Sequence, residues 1–318
     1  MMPSLTTPVN VSQLSFQLDF NSGIVSLGSC FADEMGTRLQ EGGFHIEQNP
    51  FGTLYNPASI ASALHRIIDD REITAADLVE HEGLWHSWHH HGSFSRPTQE
   101  ATLEACNARI HQAHNTLKEA NLLMITFGTA WVFELRAESG EQRAEFLGAT
   151  AITPNSELRT PNSVVANCHK LPASMFTRRR MTVEEIVSLW TPLIEKLNTQ
   201  YPALNIVFTV SPIRHMADGA HGNQLSKSTL LLAIDQLRTP NSELRALNYF
   251  PAYEIVLDEL RDYRFFGPDM THPTALAVDV VWERFQCATM TPAVREHAHL
   301  NAKQLKREKH IPLHDRII

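Results

Sequence analysis

Gly23-Ile-Val-Ser-Leu-Gly-Ser-Cys-Phe-Ala-Asp-Glu-Met35 is the stretch from which the fold is read. Ile24, Val25 and Leu27 make a short apolar run of strand type, which Gly28 stops. From Phe31 the spacing turns helical: Phe31, Met35 and Leu39 recur every four residues, with Asp33, Glu34, Arg38 and Gln40 between them. A strand that turns sharply into a helix leaves the first helical N–H groups without internal acceptors. Ser29 and Cys30 stand at that turn. Two readings are open there. One is a nucleophile with oxyanion donors beside it and a thiolate favoured by the helix N-terminus. The other is a serine that only caps the helix and a cysteine that only fills space.

Outward from this unit, residues 11–22 alternate weakly and read as a lead-in or edge strand. Gly42-Gly43 stops the first helix, and Phe44 to Gln48 is a second strand. A loop dense in Pro, Gly and Asn spans 49–57, and Ser59 is expected to cap the helix that follows. Thr98 to Ala120 has helical spacing. Leu122 to Gly128 is a continuous apolar run, as in a parallel strand buried on both faces, with 129–133 continuing from it. Thr182 and Glu185 form a capping box for a helix to Gln200. Asn205 to Ser211 is another buried strand, Ser226 to Leu237 a helix, 249–262 a strand or short helix, and Pro273 to Cys287 a final helix. Strands alternating with helices predict a three-layer α/β/α sandwich with a mostly parallel central sheet. Ligands in such folds bind beyond the carboxyl ends of the strands, where Ser29, Cys30, Gly128 to Trp131 and Ser211 to His215 cluster.

The chain has 318 residues, of which 43% are hydrophobic and 19% charged, so one large domain over 1–318 with a core at about 20–290 is expected. A formal charge of −8 argues against a general nucleic-acid binder. No apolar run suits a membrane span and no secretory signal is visible, so a cytoplasmic protein without membrane partners is expected. The 4 cysteines are scattered, which disfavours a disulfide framework or zinc ribbon. Thr153-Pro-Asn-Ser-Glu-Leu-Arg159 recurs letter for letter at Thr239 to Arg245. The flanks are unrelated, so low-complexity loop insertions near 153–163 and 237–245 are expected, followed by a C-terminal extension over 291–318. His86, His89, His90 and His91, interleaved with Trp85 and Trp88, invite a metal. Their spacing does not match H-E-x-x-H, and neither a metal nor a cofactor is expected.

Asp269 precedes His272 by three residues on a tight turn. Such a carboxylate can accept the imidazole Nδ1–H and leave Nε2 free as a base. With the nucleophile turn near the N-terminus, a triad of Cys30 or Ser29 with His272 and Asp269 takes shape. The pentapeptide Gly28-Ser-Cys-Phe-Ala32 resembles the motif that names the GSCFA family, within the SGNH (GDSL-like) hydrolases. Blocks at 49–57, 126–133, 167–170, 210–215, 249–254 and 269–273 also look like family blocks. The resemblance implies a flavodoxin-like sandwich and an esterase or deacetylase acting by acyl transfer, on a small-molecule ester or an acylated carbohydrate. An acyltransferase or a non-catalytic binding protein on an altered scaffold is the alternative.

Laid ungapped on the superfamily's Gly-Asp-Ser block, Gly28-Ser29-Cys30 puts Cys30 in the nucleophile position. A shift of one would put Ser29 there; the ease of ionising a thiol at a helix N-terminus favours Cys30. The block that usually supplies an oxyanion Asn reads Gly128-Thr129-Ala130-Trp131 here, and alanine has no donor. The resemblance therefore assigns the oxyanion to the backbone N–H groups of Cys30 and Gly52, with Gly128 and Thr129 at the site. Asn56, His169, Arg214 and His215 are the candidates for the missing side chain, and His91 is expected to face the pocket.

Overall fold

Ile24 and Val25, neighbours in the first strand, bury on opposite sides of one sheet, and this two-sidedness makes the architecture three-layered. The computed structural model describes residues 7–136, 163–239 and 247–309. In chain order the elements are β1 (Gly23–Gly28), α1 (Cys30–Glu41), β2 (His45–Gln48), α2 (Pro57–Asp69), β3 (Leu78–His81), β4 (Leu84–Ser87), α3 (Gln99–Glu119), β5 (Ala120–Phe127) and β6 (Trp131–Leu135). There follow β7 (Val164–Val165), β8 (Phe176–Arg180), α4 (Val183–Gln200), β9 (Asn205–Val210), α5 (Gly219–Arg238), β10 (Asn248–Tyr249), α6 (Ala275–Thr289) and α7 (Pro292–Glu308).

The central sheet runs β10-β9-β5-β1-β2 and every pair in it is parallel. Counted along the chain, that is the order 2-1-3-4-5 of flavodoxin-like folds, with its switch point between β1 and β5. Val25, Leu27, Leu123, Ile125, Phe127, Phe208 and Val210 pack against α2, α3, α4 and α5 on one face. Ile24, Leu122, Met124 and Val207 meet α1 and α6 on the other. The expected α/β/α sandwich with a parallel sheet is thus the observed fold.

Local departures have identifiable causes. The cap of α2 is Asn56, not Ser59: Pro57 presets the first helical φ, and Asn56 Oδ1 accepts the Ser59 N–H at 2.8 Å. Residues 11–22 form no strand and reach α6 through single contacts, Leu18 N–H to Thr289 O at 2.7 Å among them. The segment after β5 does not continue that strand. It breaks at Gly128 and Thr129, and β6 pairs with β7 and β8 in a separate antiparallel sheet. In the C-terminal extension, α7 docks on α1: Asn301 donates to Gly42 O at 2.9 Å and Ala298 is buried there. The first copy of the repeat lies outside the described residues, as does most of the second. Leu237 and Arg238 complete α5, with Leu237 buried rather than in a loop.

Gly28 carries the strand-to-helix turn. Its φ is +153°, and a Cβ there would stand 2.4 Å from Thr126 O of β5. Gly28→Ala is therefore expected to prise β1 from β5 and lower stability by about 3 kcal/mol. The urea midpoint checks this, and a loss under about 0.5 kcal/mol, as for an ordinary surface change, would contradict it.

Candidate functional site

A cavity of about 730 Å³ opens beyond the carboxyl ends of β1, β5 and β9, at the switch point of the sheet. Cys30, Tyr55, Asn56, Thr129 and Trp131 line it together with the segment Ile213 to Asp218, Thr271, His272 and Arg178 of β8. Residues from opposite ends of the chain, Cys30 and His272, therefore share one chamber.

The two residues of the nucleophile turn have separated roles in space. Ser29 is 1% exposed and caps α1, its Oγ accepting the Phe31 N–H at 3.3 Å. Cys30 is the first residue of α1 and lines the cavity, with its Sγ 3.4 Å from the Tyr55 hydroxyl. As first helical residue, Cys30 has an N–H with no acceptor inside the helix.

His272 Nδ1 meets Asp269 Oδ2 at 2.5 Å, as the D-x-x-H spacing predicts. The N–H groups of His272 and Thr271 point at Asp269 Oδ1, at 3.0 and 2.9 Å. These donors, with the imidazole, hold the Asp269 carboxyl well below the usual carboxylate range. Both side chains are about half exposed, at the rim of the cavity. Arg214 secures the turn: its guanidinium donates to Met270 O at 3.0 Å and its N–H to Thr271 O at 3.2 Å.

His215 lines the cavity with its Nε2 buried and without a partner among the described residues. Burial, helped by the nearby Lys227 cation, pushes its imidazole down to about 4, so it is neutral near pH 7. Asn56 uses its oxygen on the Ser59 N–H while its side chain lines the cavity. The Gly128 to Trp131 loop has no backbone donor to spare. Gly128 and Thr129 both donate to Tyr55 O at 2.8 Å, Ala130 to Ser226 Oγ at 2.8 Å, and Trp131 to Thr129 Oγ1 at 3.2 Å. Thr129 is thus at the wall with its hydroxyl engaged, and Gly128 serves by letting Tyr55 O approach to where a Cβ would be 3.0 Å away.

Three expected site residues are elsewhere. Gly52 does not line the cavity, because its N–H closes a turn on Asn49 O at 2.7 Å. His91 turns its ring to cap the short turn 92–94, Nδ1 accepting the Ser93 N–H at 3.3 Å. His169 is buried against His86, with its Nε2–H on Ser87 O at 2.8 Å. The remaining histidines of the Trp/His segment are spent on structure. His86 lies between Ser95 and His81 O, His90 stacks on Phe51, and His89 joins Arg66 around the buried Asp77. Among the described residues no group of three or more His, Cys, Asp or Glu side chains is arranged to hold a metal ion.

Sequence reasoning passed over Tyr55, Cys168, Arg178 and Lys227. Cys168 lines the same cavity as Cys30, its thiol pushed up to about 11 by burial. Arg178 grips Asp218 through both carboxylate oxygens and lies 4.3 Å over the Trp131 ring. Lys227 is 1% exposed and donates to Gly128 O and Ser211 O at 2.6 and 2.7 Å. None carries a local motif. The available signals are that Tyr55 falls inside the Asn49 to Pro57 block and Cys168 inside the 167–170 block.

The sequence model described as the GSCFA family matches residues 23–285. No curated protein matches the chain. Among solved structures, a Parabacteroides merdae protein described only by its likeness to GDSL lipases is similar over 87% of this chain and 98% of its own, at 9% identity and a TM-score of 0.39. Among the described residues no helix is long and apolar enough to cross a membrane.

Burial holds the His169 imidazole down to about 4, against an ordinary value near 6.5. Below pH 6.5 the unfolded chain takes up a proton that the folded chain refuses, so stability present above pH 6.5 is lost as pH falls toward 4. That loss is expected to reach roughly 3 kcal/mol from this residue. Urea midpoints for His169→Gln should show a shallower decline between pH 6.5 and 4; a decline as steep as the parent's would refute the assignment.

Proposed function

The chain belongs to the GSCFA family, and we propose that it is a hydrolase of SGNH type that acts on esters by acyl transfer through Cys30. The observation that carries the reading is the division of labour at the turn. Ser29 is buried as a helix cap while Cys30 opens into the cavity that His272 also lines. Those positions support the following reaction. The Cys30 thiol gives its proton to His272 Nε2, and its sulfur attacks the acyl carbonyl. Asp269 holds Nδ1–H, fixing the tautomer that makes Nε2 basic. The Cys30 N–H, at the positive end of α1, faces the oxyanion. His272 then returns the proton to the leaving alcohol, and water releases the acid by the same route. For the alcohol part we favour an acylated carbohydrate. Trp131 lines the wall with the planar Arg178 guanidinium stacked on its ring, and Asn56 and Asn167 also line it, so planar and hydrogen-bonding groups meet there.

A second reading is a binding protein on an altered scaffold. It is favoured by Ala130, whose position carries no side-chain donor and whose own N–H is taken by Ser226.

Intact-mass and peptide spectra after exposure to p-nitrophenyl acetate distinguish the two. An acetyl adduct on Cys30 is expected, absent in Cys30→Ala and retained in Ser29→Ala, with Ser29→Ala losing about 1 kcal/mol of stability as a lost cap. His272→Ala is expected to slow acylation about 10²- to 10⁴-fold. No adduct across a panel of acetate, butyrate and sugar acetate esters favours the binding protein, and an adduct on Ser29 overturns the thiol mechanism.

A further inference from the structure

The cavity leaves one oxyanion donor unassigned, and Tyr55 is the residue whose placement answers it. Its hydroxyl lies 3.4 Å from Cys30 Sγ and 3.4 Å from Thr53 Oγ1. Its backbone is held by two N–H donors at 2.8 Å, from Gly128 and Thr129, and its ring meets His215 edge-on at 6.0 Å. We propose that Tyr55 is a catalytic residue, its phenol donating first to the Cys30 thiolate and then to the oxyanion. This rests on the acyl-transfer reading above.

Proton counting supports the sequence of events. A phenol has one proton to give. While Cys30 is a thiol, the phenol donates to Thr53 Oγ1 and leaves the thiol proton free to turn to His272 Nε2. Once His272 has taken the thiol proton, the phenol proton turns to the sulfur. As the S–C bond forms and the carbonyl π pair moves to oxygen, negative charge passes from sulfur to an oxygen bonded to the carbon it attacked. The phenol follows it by a small rotation. The proton on His272 goes to the leaving alkoxide when the C–O bond breaks, so the phenol ends each cycle with the proton it began with. Burial, with the Cys30 contact second, pushes the phenol up to about 12, which keeps it a donor throughout the neutral range. The loop that bears Ala130 has all four of its N–H groups engaged, so no backbone donor there competes for the role.

Iodoacetamide alkylation of Cys30, read by peptide mass spectrometry from pH 5 to 10, tests the thiolate contact without any substrate. In Tyr55→Phe the inflection is expected to rise by about one pH unit, slowing alkylation about tenfold at a fixed pH below it. Thr53→Val removes only the competing acceptor, so its inflection is expected to stay or fall, and thermal melts confirm that both variants fold. An unmoved inflection in Tyr55→Phe, or an equal rise in Thr53→Val, overturns the contact. Acylation by p-nitrophenyl acetate above the inflection, where the thiol is fully ionised, is expected to be about 10²-fold slower in Tyr55→Phe. Equal rates there overturn the oxyanion role. A parent chain that no activated ester acylates overturns the acyl-transfer reading and the oxyanion role together, while the alkylation profile still decides the thiolate contact.

Discussion

The Lys227 ammonium, buried between the ends of two strands, is the constraint on which the site's geometry depends. β5 and β9 are paired up to Phe127 and Val210, and Ser211 N–H still reaches Phe127 O at 2.8 Å. Beyond that the chains part, and the carbonyls of Gly128 and Ser211 are left at the point of divergence. Lys227 Nζ takes both, at 2.6 and 2.7 Å. Among the described residues no carboxylate pairs with it. Burial alone pushes the ammonium down to about 7. Two short charge-assisted bonds act in the opposite direction, favouring the cation that can make them. An unpaired buried cation is costly, so its presence is explained only by what it holds in place.

The rest of the site follows from that clamp. Lys227 belongs to one face of α5 with Ser226 and Asn223, since Ser226 and Lys227 follow Asn223 by three and four residues. Asn223 Oδ1 takes the His215 N–H at 2.9 Å, and Ser226 Oγ takes the Ala130 N–H at 2.8 Å. One helix face thus fixes both loops that wall the cavity. With Gly128 held by its carbonyl, its N–H and that of Thr129 meet Tyr55 O, which places the Tyr55 phenol against Cys30. The chain of contacts runs from a buried cation to the sulfur through backbone groups, which have little freedom to drift.

Another part of the wall is built differently. The Asp269 to His272 turn is organised by its own hydrogen bonds and then tied to the body of the protein by Arg214. The dyad is half exposed, whereas His215, deeper in the wall, is kept neutral by burial. Two imidazoles in one cavity therefore have distinct electrostatic settings, one with a carboxylate partner and one without.

Much of this was legible in the residues. The apolar runs of β1, β5 and β9 are continuous because both faces of those strands are buried, and that pattern survives any tertiary detail. The capping box of α4 and the D-x-x-H turn are local chemistry, closed within three residues, and they stand where the spacing put them. Gly52, His91 and His169 were misplaced because their backbone or ring groups found nearer partners than the cavity. The start of β6 was taken for a continuation of β5 and β8 went unread, because the two pair across more than 40 residues and Phe176-Thr-Arg-Arg-Arg180 has no apolar alternation to announce a strand. What the chain determines alone is therefore the layered sheet, the turn at Gly28 and the Asp269–His272 pair, since each depends on contacts between near neighbours or on burial of whole segments. The choice of Cys30 over Ser29 for the cavity wall, the place of Tyr55 and the burial of Lys227 were decided only in three dimensions. Each depends on which distant backbone groups end up without partners when the strands stop.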